Sequence, residues 1–252
     1  MINKIYKKIN KLKSIILQII YLPSQYLYLK KCNLKYNRFS INIKNRWICL
    51  GDNLSQDVFD RHYVYHCAWA ARVVKKINPV FHIDISSSIN FVSIVSAFVP
   101  IKFYDYRPLK MKLNGLVSDF ANLESLKFED DSVESISCMH VIEHVGLGRY
   151  GERLDYDGDI KAINELKRVV TKGGSLILVI PISGENKIQF NAHRVYTYAT
   201  ILDFFPNFNL VEFSLIRDDC YVDEPFIRNA TESDANAQKY GCGCFHFIKK
   251  LN

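Results

Sequence analysis

The amino-acid sequence predicts a doubly wound α/β fold, in which helices cover both faces of a mostly parallel sheet. Short apolar segments alternate with longer segments of helical periodicity along most of the chain. Strands that are separated by helices pair in parallel through crossover connections. The 252 residues, of which 48% are hydrophobic and 23% charged, have the balance of an ordinary globular protein.

The predicted elements follow one another from residue 55 to residue 249. Helical character over 55–76 stops ahead of Pro79, because the residue before a proline is pushed out of the helical conformation. The helix at 159–170 ends in a glycine stop at 172–174, and Pro181 ends the strand that follows. The other elements are a strand at 80–85, a helix at 89–98, strands at 101–105, 115–119, 133–139 and 175–180, a helix at 196–205, and strands at 210–216 and 244–249 that form an antiparallel hairpin.

The net charge of +7 belongs to one end of the chain. The first acidic residue is Asp52, and the 51 residues before it contain 11 lysines and arginines, which leaves 22 basic against 26 acidic residues in 52–252. A globally basic surface would indicate nucleic acid, whereas this asymmetry argues against a nucleic-acid partner. Seven cysteines without a CxxC pair indicate a reducing compartment, so we expect a cytoplasmic protein.

Residues 1–51 form a basic arm and linker, and residues 52–252 form the globular domain. Isoleucines and a leucine recur in the arm at intervals of three and four residues between lysines, which predicts a basic amphipathic helix. Such a helix can lie on an anionic membrane surface or pack against the domain or a protein partner. A membrane-spanning segment is not expected, because Gln18 and Pro23 interrupt the apolar run.

Ligands of doubly wound sheets bind beyond the carboxyl ends of the strands, where the strand order reverses. Asp84, Asp105 and Asp119 lie at the ends of three predicted strands, and the segment 139–144 follows a fourth. These residues are therefore the first candidates for a functional site. The polar segment 217–241, which contains Pro225, is a candidate lid.

Those strand ends resemble the seven-stranded, Rossmann-like S-adenosylmethionine-dependent methyltransferases. The resemblance covers about residues 80–216, including HIDISSS at 82–88, the stretch 118–145, and INELKRVVTKGGSLILVIP at 163–181. It implies S-adenosyl-L-methionine as cofactor and assigns Asp105 to the ribose hydroxyls. The other cofactor residues that it implies are Asp84, Ser86 and Ser88 for the methionine end, Asp119 and Phe120 for the adenine, and His140 near the sulfonium.

The first loop departs from the family pattern, because Ser86 and Ser88 occupy its two glycine positions. Glycine there permits positive φ and a close approach of the backbone. A serine hydroxyl can compensate by capping the next helix or by binding the cofactor carboxylate. The alternative is a non-catalytic, methyltransferase-like binding or scaffold protein.

The resemblance also suggests which residues act on an acceptor. His140 or His144 can remove the acceptor proton, with Glu143 as the orienting carboxylate. Three strings, at 103–109, 146–159 and 190–194, are similar to a subgroup of methyltransferase-like proteins that often accompany genes for bacterial surface polysaccharides. We therefore expect a small-molecule or glycan-linked acceptor, in the cytoplasm or at the inner membrane face, and the substrate residues Arg149, Tyr150, Asp155, His193 and Arg194.

The sequence predicts no metal site. His140-x-x-Glu143-His144 spells an inverted zinc-protease pattern, but that motif needs a helix and here follows a strand. The acidic run 155–159 has its glycine at the wrong position for a calcium loop. The segment 242–244 has no partner pair of cysteines and is interpreted as the start of a strand.

Overall fold

A computed structural model describes residues 2–36, 39–46, 48–50, 59–219 and 224–251. The chain divides into two units, 1–59 and 60–252, which are described separately below. The domain boundary expected between residues 51 and 52 falls within 51–58, outside the described residues.

The first unit is dominated by one helix, α1, over Ile2–Tyr36, with Pro23 inside it. The predicted helix is therefore present, and it continues past the proline. A short 3₁₀ turn over Ile43–Asn45 follows, and the Asn42 side chain accepts a hydrogen bond from the Lys44 amide at its start. None of the described helices combines the length and the apolar character that crossing a membrane requires.

The described residues of the second unit contain ten strands in two sheets. Strands β2 and β4 have the bounds that the sequence predicts, and β1, β3, β8 and β10 differ from prediction by a few residues at their ends. The strands are β1 (His82–Ile85), β2 (Ile101–Asp105), β3 (Leu116–Phe120), β4 (Val133–Met139), β5 (Val170–Ile182), β6 (Lys187–Gln189), β7 (His193–Val195), β8 (Phe208–Ile216), β9 (Phe226–Ile227) and β10 (Gly241–Lys249).

Five α-helices of the same unit connect these strands. They are α2 (Arg61–Ile77), α3 (Ile89–Val95), α4 (Gly158–Val169), α5 (Tyr198–Phe204) and α6 (Glu232–Asn236). The side chain of Asp60 caps α2 by accepting from the Tyr63 amide, and Asn78 ends this helix in the left-handed conformation just before Pro79. The predicted stop before the proline is thus confirmed, whereas residues 55–58 of the predicted helix lie outside the described residues.

The main sheet has the strand order β3-β2-β1-β4-β5-β10-β8-β9, and β1 to β5 run parallel. Strand β10 is antiparallel to both of its neighbours, β5 and β8. The predicted doubly wound, mostly parallel sheet is therefore confirmed, with β9 as a short addition at one edge. Because the chain leaves β1 toward β3 and returns to add β4 on its other side, the strand order reverses between β1 and β4.

Apolar side chains alternate between the two faces of the sheet. Each face packs against its own helices and forms a separate core. In β5, Ile177 and Val179 face α2 and α3, whereas Leu176, Leu178 and Ile180 face α4 and α5. All five are buried, so the strand reads as a continuous apolar run although it is divided between two cores.

Two predicted stop signals are wrong in detail. Helix α4 ends at Val169, and β5 starts directly at Val170, so Gly173 and Gly174 lie inside the strand, with Gly173 at φ +78°. The strand also continues through Pro181, which stands opposite Cys242 of β10. Proline lacks an amide donor, but its carbonyl oxygen still accepts, here from the Tyr196 amide at 3.1 Å.

The β6–β7 hairpin is not predicted by the sequence. The segment 217–241 contains more structure than a simple lid: β9, the helix α6 with a capping box between Thr231 and Asp234, and the buried Gln238. The side-chain oxygen of Gln238 accepts from the Asp218 amide at 3.0 Å. Residues 220–223 are outside the described residues, and the role of the segment as a lid stays a prediction.

A buried line of hydrogen bonds connects β1 to β4 at the centre of the sheet. The hydroxyl of Ser137 donates to Asp84 Oδ2 and therefore accepts from Nε2–H of His82, at 2.9 Å. His82 Nδ1 then accepts from the Ser135 hydroxyl at 2.8 Å. Burial lowers the pKa of His82 to about 3, which keeps the ring neutral as this pattern requires.

Burial also raises the pKa of Asp84 to about 7 from its ordinary 3.8, against the opposing effect of its bonds from Ser137 and Ser87. We expect Asp84→Asn to remove the pH dependence that this shift creates. Between pH 3.8 and 7 the folded chain keeps the Asp84 proton, whereas the unfolded chain has lost it. The contribution of Asp84 to stability is therefore fully present below pH 3.8 and is lost as pH rises through 7.

The measurement is urea unfolding of wild type and variant at several pH values across that range. The unfolding free energy of wild type minus that of the variant should fall as pH rises, by at most about 1.4 kcal/mol per pH unit. Because His82 titrates in both proteins, its contribution cancels in the difference. A difference that does not change with pH would contradict the raised pKa.

Candidate functional site

The loop after β1 has the backbone of a glycine loop, although it is built from serines. Ser86 has φ +53°, in the left-handed region that residues other than glycine rarely adopt. Its amide and hydroxyl both donate to the carbonyl oxygen of Tyr104, at 2.8 and 3.3 Å, which holds this conformation. Ser88 occupies the N-cap position of α3 without a side-chain capping bond, so the capping expected of it is not seen.

Asp84 lies beneath this loop and holds it from below. Its Oδ1 accepts from the Ser87 amide at 3.1 Å, and the Ser87 hydroxyl accepts from the Met139 amide of β4 at 3.1 Å. Asp84 is fully buried. These contacts make Asp84 a residue that shapes the loop, and its role toward the methionine end of the cofactor stays a prediction.

The ends of β2 and β3 carry the other two predicted carboxylates. Asp105 is half-buried, and its Oδ1 accepts from the Arg107 amide at 2.7 Å. Asp119 is exposed and accepts from the Phe120 amide at 2.7 Å. The ring centroids of Phe120 and Tyr106 are 5.6 Å apart. Since β1, β2 and β3 are adjacent and parallel, Asp84, Asp105 and Asp119 lie along one edge of the sheet.

His140 follows β4 in a left-handed conformation, at φ +58°, and the short 3₁₀ segment Ile142–His144, which contains Glu143, comes two residues later. Its Nδ1 is 2.8 Å from Glu143 Oε1, so the carboxylate accepts the Nδ1 proton and leaves Nε2 as the basic nitrogen. His144 Nδ1 is 2.8 Å from the carbonyl oxygen of Ala192, which fixes the same tautomer. The predicted trio is thus brought together.

Five of the seven histidines gather around this strand end, with tyrosines between them. The ring of His140 lies 5.1 Å from that of His66 and 5.9 Å from that of His62. Tyr240 stacks on both His62 and His193, at 5.4 and 5.1 Å. The histidine cluster, as it is called below, consists of His62, Tyr63, His66, His140, Glu143, His144, His193, Tyr240 and Cys242.

Burial keeps four protonatable side chains of the histidine cluster uncharged. It lowers the pKa of His62 to about 4 and that of His66 to about 3, with the neighbouring His140 adding to both effects. Burial likewise raises the pKa of Tyr63 and of Tyr240 to about 12. His62 and His66 are therefore neutral imidazoles, which can accept a proton or bind a metal ion.

Of this cluster, the sequence indicates His140, Glu143, His144 and His193. It does not indicate the members from α2, Cys242 of β10 or Tyr240 just before that strand. His62 and His66 are four residues apart, which places both on one face of the helix and is a usable signal. Cys242 gives no comparable signal, because only the antiparallel pairing of β10 with β5 brings it near His140.

Tyr150 and Arg149, both predicted to face the acceptor, lie beside the cluster. The guanidinium groups of Arg149 and Arg107 lie over the half-exposed Tyr150 ring, with their carbon atoms 5.1 and 5.4 Å from its centroid. Its edge meets the His144 ring at 5.6 Å. Arg107 was not singled out in the sequence, and it adds a second positive charge to this surface.

Arg194 and Asp155 have structural contacts that differ from the substrate roles expected of them. The buried Arg194 donates to the carbonyl oxygens of Val145 and Tyr156, at 2.7 and 2.8 Å, and its Nε is 3.4 Å from Asp159. Asp155 accepts from the Lys161 side chain and from the Asp157 amide at the start of α4. Both residues therefore hold the loop 145–158 in place. Arg194 also lines a cavity of about 470 Å³ on this side of the unit.

A comparison with protein families finds one match within the chain. Residues 104–223 match the family DUF268, described as a Caenorhabditis protein of unknown function. A search of the curated proteins finds no match.

Solved structures similar to this chain share its fold at low sequence identity. A candidate sarcosine dimethylglycine methyltransferase from Galdieria sulphuraria has a TM-score of 0.54 at 12% identity, covering 77% of this chain and 91% of its own. The 1,6-didemethyltoxoflavin N1-methyltransferase of Burkholderia thailandensis, solved with S-adenosylhomocysteine, has a TM-score of 0.51 at 7% identity. The match covers 73% of this chain and 78% of that one. The chain therefore has the fold of the class I S-adenosylmethionine-dependent methyltransferases.

Proposed function

We propose that this protein transfers a methyl group from S-adenosyl-L-methionine to a small polar or glycan-linked acceptor. The observation that carries the proposal is the left-handed backbone of Ser86 directly after β1, in a sheet whose next two strands carry Asp105 and Asp119 at their carboxyl ends. The loop keeps the conformation for which glycine is normally selected, even though serine is strained there.

The residues at this edge fit the proposed cofactor. Asp105 would accept from the two adjacent ribose hydroxyls, Phe120 would cover the adenine, and Asp119 would accept from its amino group. The serine loop would hold the methionine end. When bound, S-adenosyl-L-methionine supplies an electrophilic methyl group, so the protein's own task is to align the acceptor with it and to exclude water.

His144 is the histidine best placed to take the acceptor proton. The carbonyl oxygen of Ala192 fixes its Nδ1 as the donor, which leaves Nε2 as a lone pair 3.9 Å from Glu143 Oε1. Its side chain is 15% exposed, compared with 6% for His140. A proton accepted at Nε2 would be stabilised by the buried Glu143 carboxylate.

The surface beside His144 supports a polar acceptor that carries negative charge. Arg107 and Arg149 lie on Tyr150, and guanidinium groups bind carboxylates and phosphates through paired hydrogen bonds. Together with the similarity to proteins associated with polysaccharide genes, this favours a sugar nucleotide or a glycan-linked phosphate. We place the reaction in the cytoplasm or at the inner membrane face.

Calorimetry with S-adenosylhomocysteine tests the proposal. The full chain should bind this product, and Asp105→Asn should weaken binding by about tenfold or more, since two charge-assisted hydrogen bonds to the ribose are lost. The asparagine can still accept from the Arg107 amide through its side-chain oxygen. Glu129→Gln is the matched control, because Glu129 is exposed and precedes β4 at the opposite edge of the sheet.

No binding by the wild type to either S-adenosylmethionine or S-adenosylhomocysteine would contradict the proposal and favour a non-catalytic scaffold. Equal affinities of wild type and Asp105→Asn would contradict the ribose assignment alone.

Substitution of Ser86 tests whether the loop conformation matters. Ser86→Gly should retain binding of S-adenosylhomocysteine, because glycine adopts φ +53° without strain. Ser86→Val should destabilise the fold by about 1–3 kcal/mol or lose binding, because a β-branched residue is an outlier at positive φ. Thermal unfolding and calorimetry of both variants measure this contrast, and equal behaviour of glycine and valine would refute it.

The basic arm is proposed to contact an anionic membrane surface or a protein partner. Removal of residues 1–31 deletes seven of the lysines, each contributing about 1 kcal/mol near such a surface. The truncated chain should retain affinity for S-adenosylhomocysteine and lose sedimentation with phosphatidylserine vesicles. Loss of cofactor affinity would show that the arm belongs to the catalytic unit, and vesicle binding that persists would exclude the membrane role.

A further inference from the structure

Three side chains of the histidine cluster form a compact set of potential metal ligands. Ring nitrogens of His62 and His140 and the sulfur of Cys242 all lie within 4.8 Å of one another. His140 Nε2 and Cys242 Sγ are 3.4 Å apart. Two ligands of a tetrahedral zinc ion, one nitrogen and one sulfur, are separated by about 3.5 Å.

The surroundings of His140 have the form expected around a metal ligand. Glu143 Oε1 accepts the Nδ1 proton of His140 at 2.8 Å, which orients the ring and directs the Nε2 lone pair toward Cys242. Glu143 is 1% exposed, and its buried position makes this contact rigid. A carboxylate that holds the far nitrogen of a histidine ligand is a recurrent second partner in metal sites.

The cluster also contains buried polar atoms that lack a partner among the described residues. Glu143 Oε2 and His193 Nε2 have none there. Glu143 bonds to His140 through its other oxygen, and the ring of Tyr240 stacks on both His193 and His62, so both residues belong to the surroundings of the three potential ligands. Because buried polar atoms without a partner are rare in native proteins, these two indicate an occupant that bears hydrogen-bonding groups.

We propose that His62, His140 and Cys242 bind a zinc ion. Two imidazoles and one thiolate suit this borderline ion, and three protein ligands leave its fourth position open to water or to an oxygen of a ligand. The sequence predicts no metal, because its one zinc-like motif, which pairs His140 with His144, follows a strand and does not lie on a helix. In the structure His144 contacts Ala192 instead, and the partners of His140 come from α2 and β10.

The site lies in the cluster that also contains His144. If the proposed methyl transfer holds, the open position is where an acceptor hydroxyl would bind, and the ion would lower the pKa of that hydroxyl. This extension rests on the proposed function, whereas the binding of zinc does not.

Metal binding is tested on the full chain after removal of metals with a chelator. Cobalt(II) should give the absorption of a tetrahedral site, with a thiolate-to-cobalt charge-transfer band, and zinc should displace it. Cys242→Ser should abolish that band, and Cys242→Ser and His62→Gln should each reduce zinc affinity by about 100-fold or more. Cys138→Ser is the matched control: Cys138 is also a buried cysteine of the sheet, but it packs in the other core, lies outside the ligand set, and its replacement should leave the band unchanged.

Glu143→Gln tests the positioning role separately. It should reduce zinc affinity by about 10–100-fold and keep the charge-transfer band, because the ligands themselves are retained. Thermal unfolding of each metal-free variant shows whether the fold is intact.

Two results would overturn the zinc site: a wild-type protein that gives no thiolate band with cobalt, or a folded Cys242→Ser variant that binds zinc as tightly as wild type. Failure of zinc to displace the bound cobalt would overturn the choice of ion. Calorimetry of the metal-free wild type with S-adenosylhomocysteine is read independently, so the cofactor proposal and the zinc proposal can fail separately.

Discussion

The hydrogen-bonded line from His82 through Ser137 and Asp84 to Ser87 is the interaction on which the site depends. It crosses from β1 to β4, the two strands between which the strand order reverses. A buried polar chain of this kind is costly unless every member is satisfied, and here each hydroxyl and ring nitrogen has a partner. The line fixes the serine loop on one side and, through the Met139 amide, the strand end that carries His140 on the other.

The fold was predictable because its signals are local. Strands β2 and β4 are short segments with buried apolar residues, and their bounds agree with prediction. The signals at Gly173 and Pro181 were interpreted as ends of elements, but both residues lie inside β5. Pairing with β4 and β10 keeps both residues in the strand, and pairing between segments distant in sequence cannot be predicted from a local pattern.

The candidate site was predictable only where it follows the parallel strands. Asp84, Asp105, Asp119 and His140 were found because strand ends converge at one edge of such a sheet. The partners of His140 were missed because they arrive from α2 and from antiparallel β10, through contacts between segments far apart in the chain. The contacts of Arg194 were not predicted either, because a guanidinium can bind carbonyl oxygens of its own protein as well as a phosphate.

The left-handed serine at the end of β1 also bears on how relatives of this chain can be recognised. A glycine motif specifies the residue that most easily adopts a positive φ, whereas the loop itself requires only the positive φ, which Ser86 also adopts. Where hydrogen bonds to a backbone carbonyl oxygen hold that angle, as they do at Ser86, a small polar residue can replace glycine. Relatives whose loops carry serine, asparagine or aspartate would then be passed over by glycine patterns and recovered by comparison of backbone conformation.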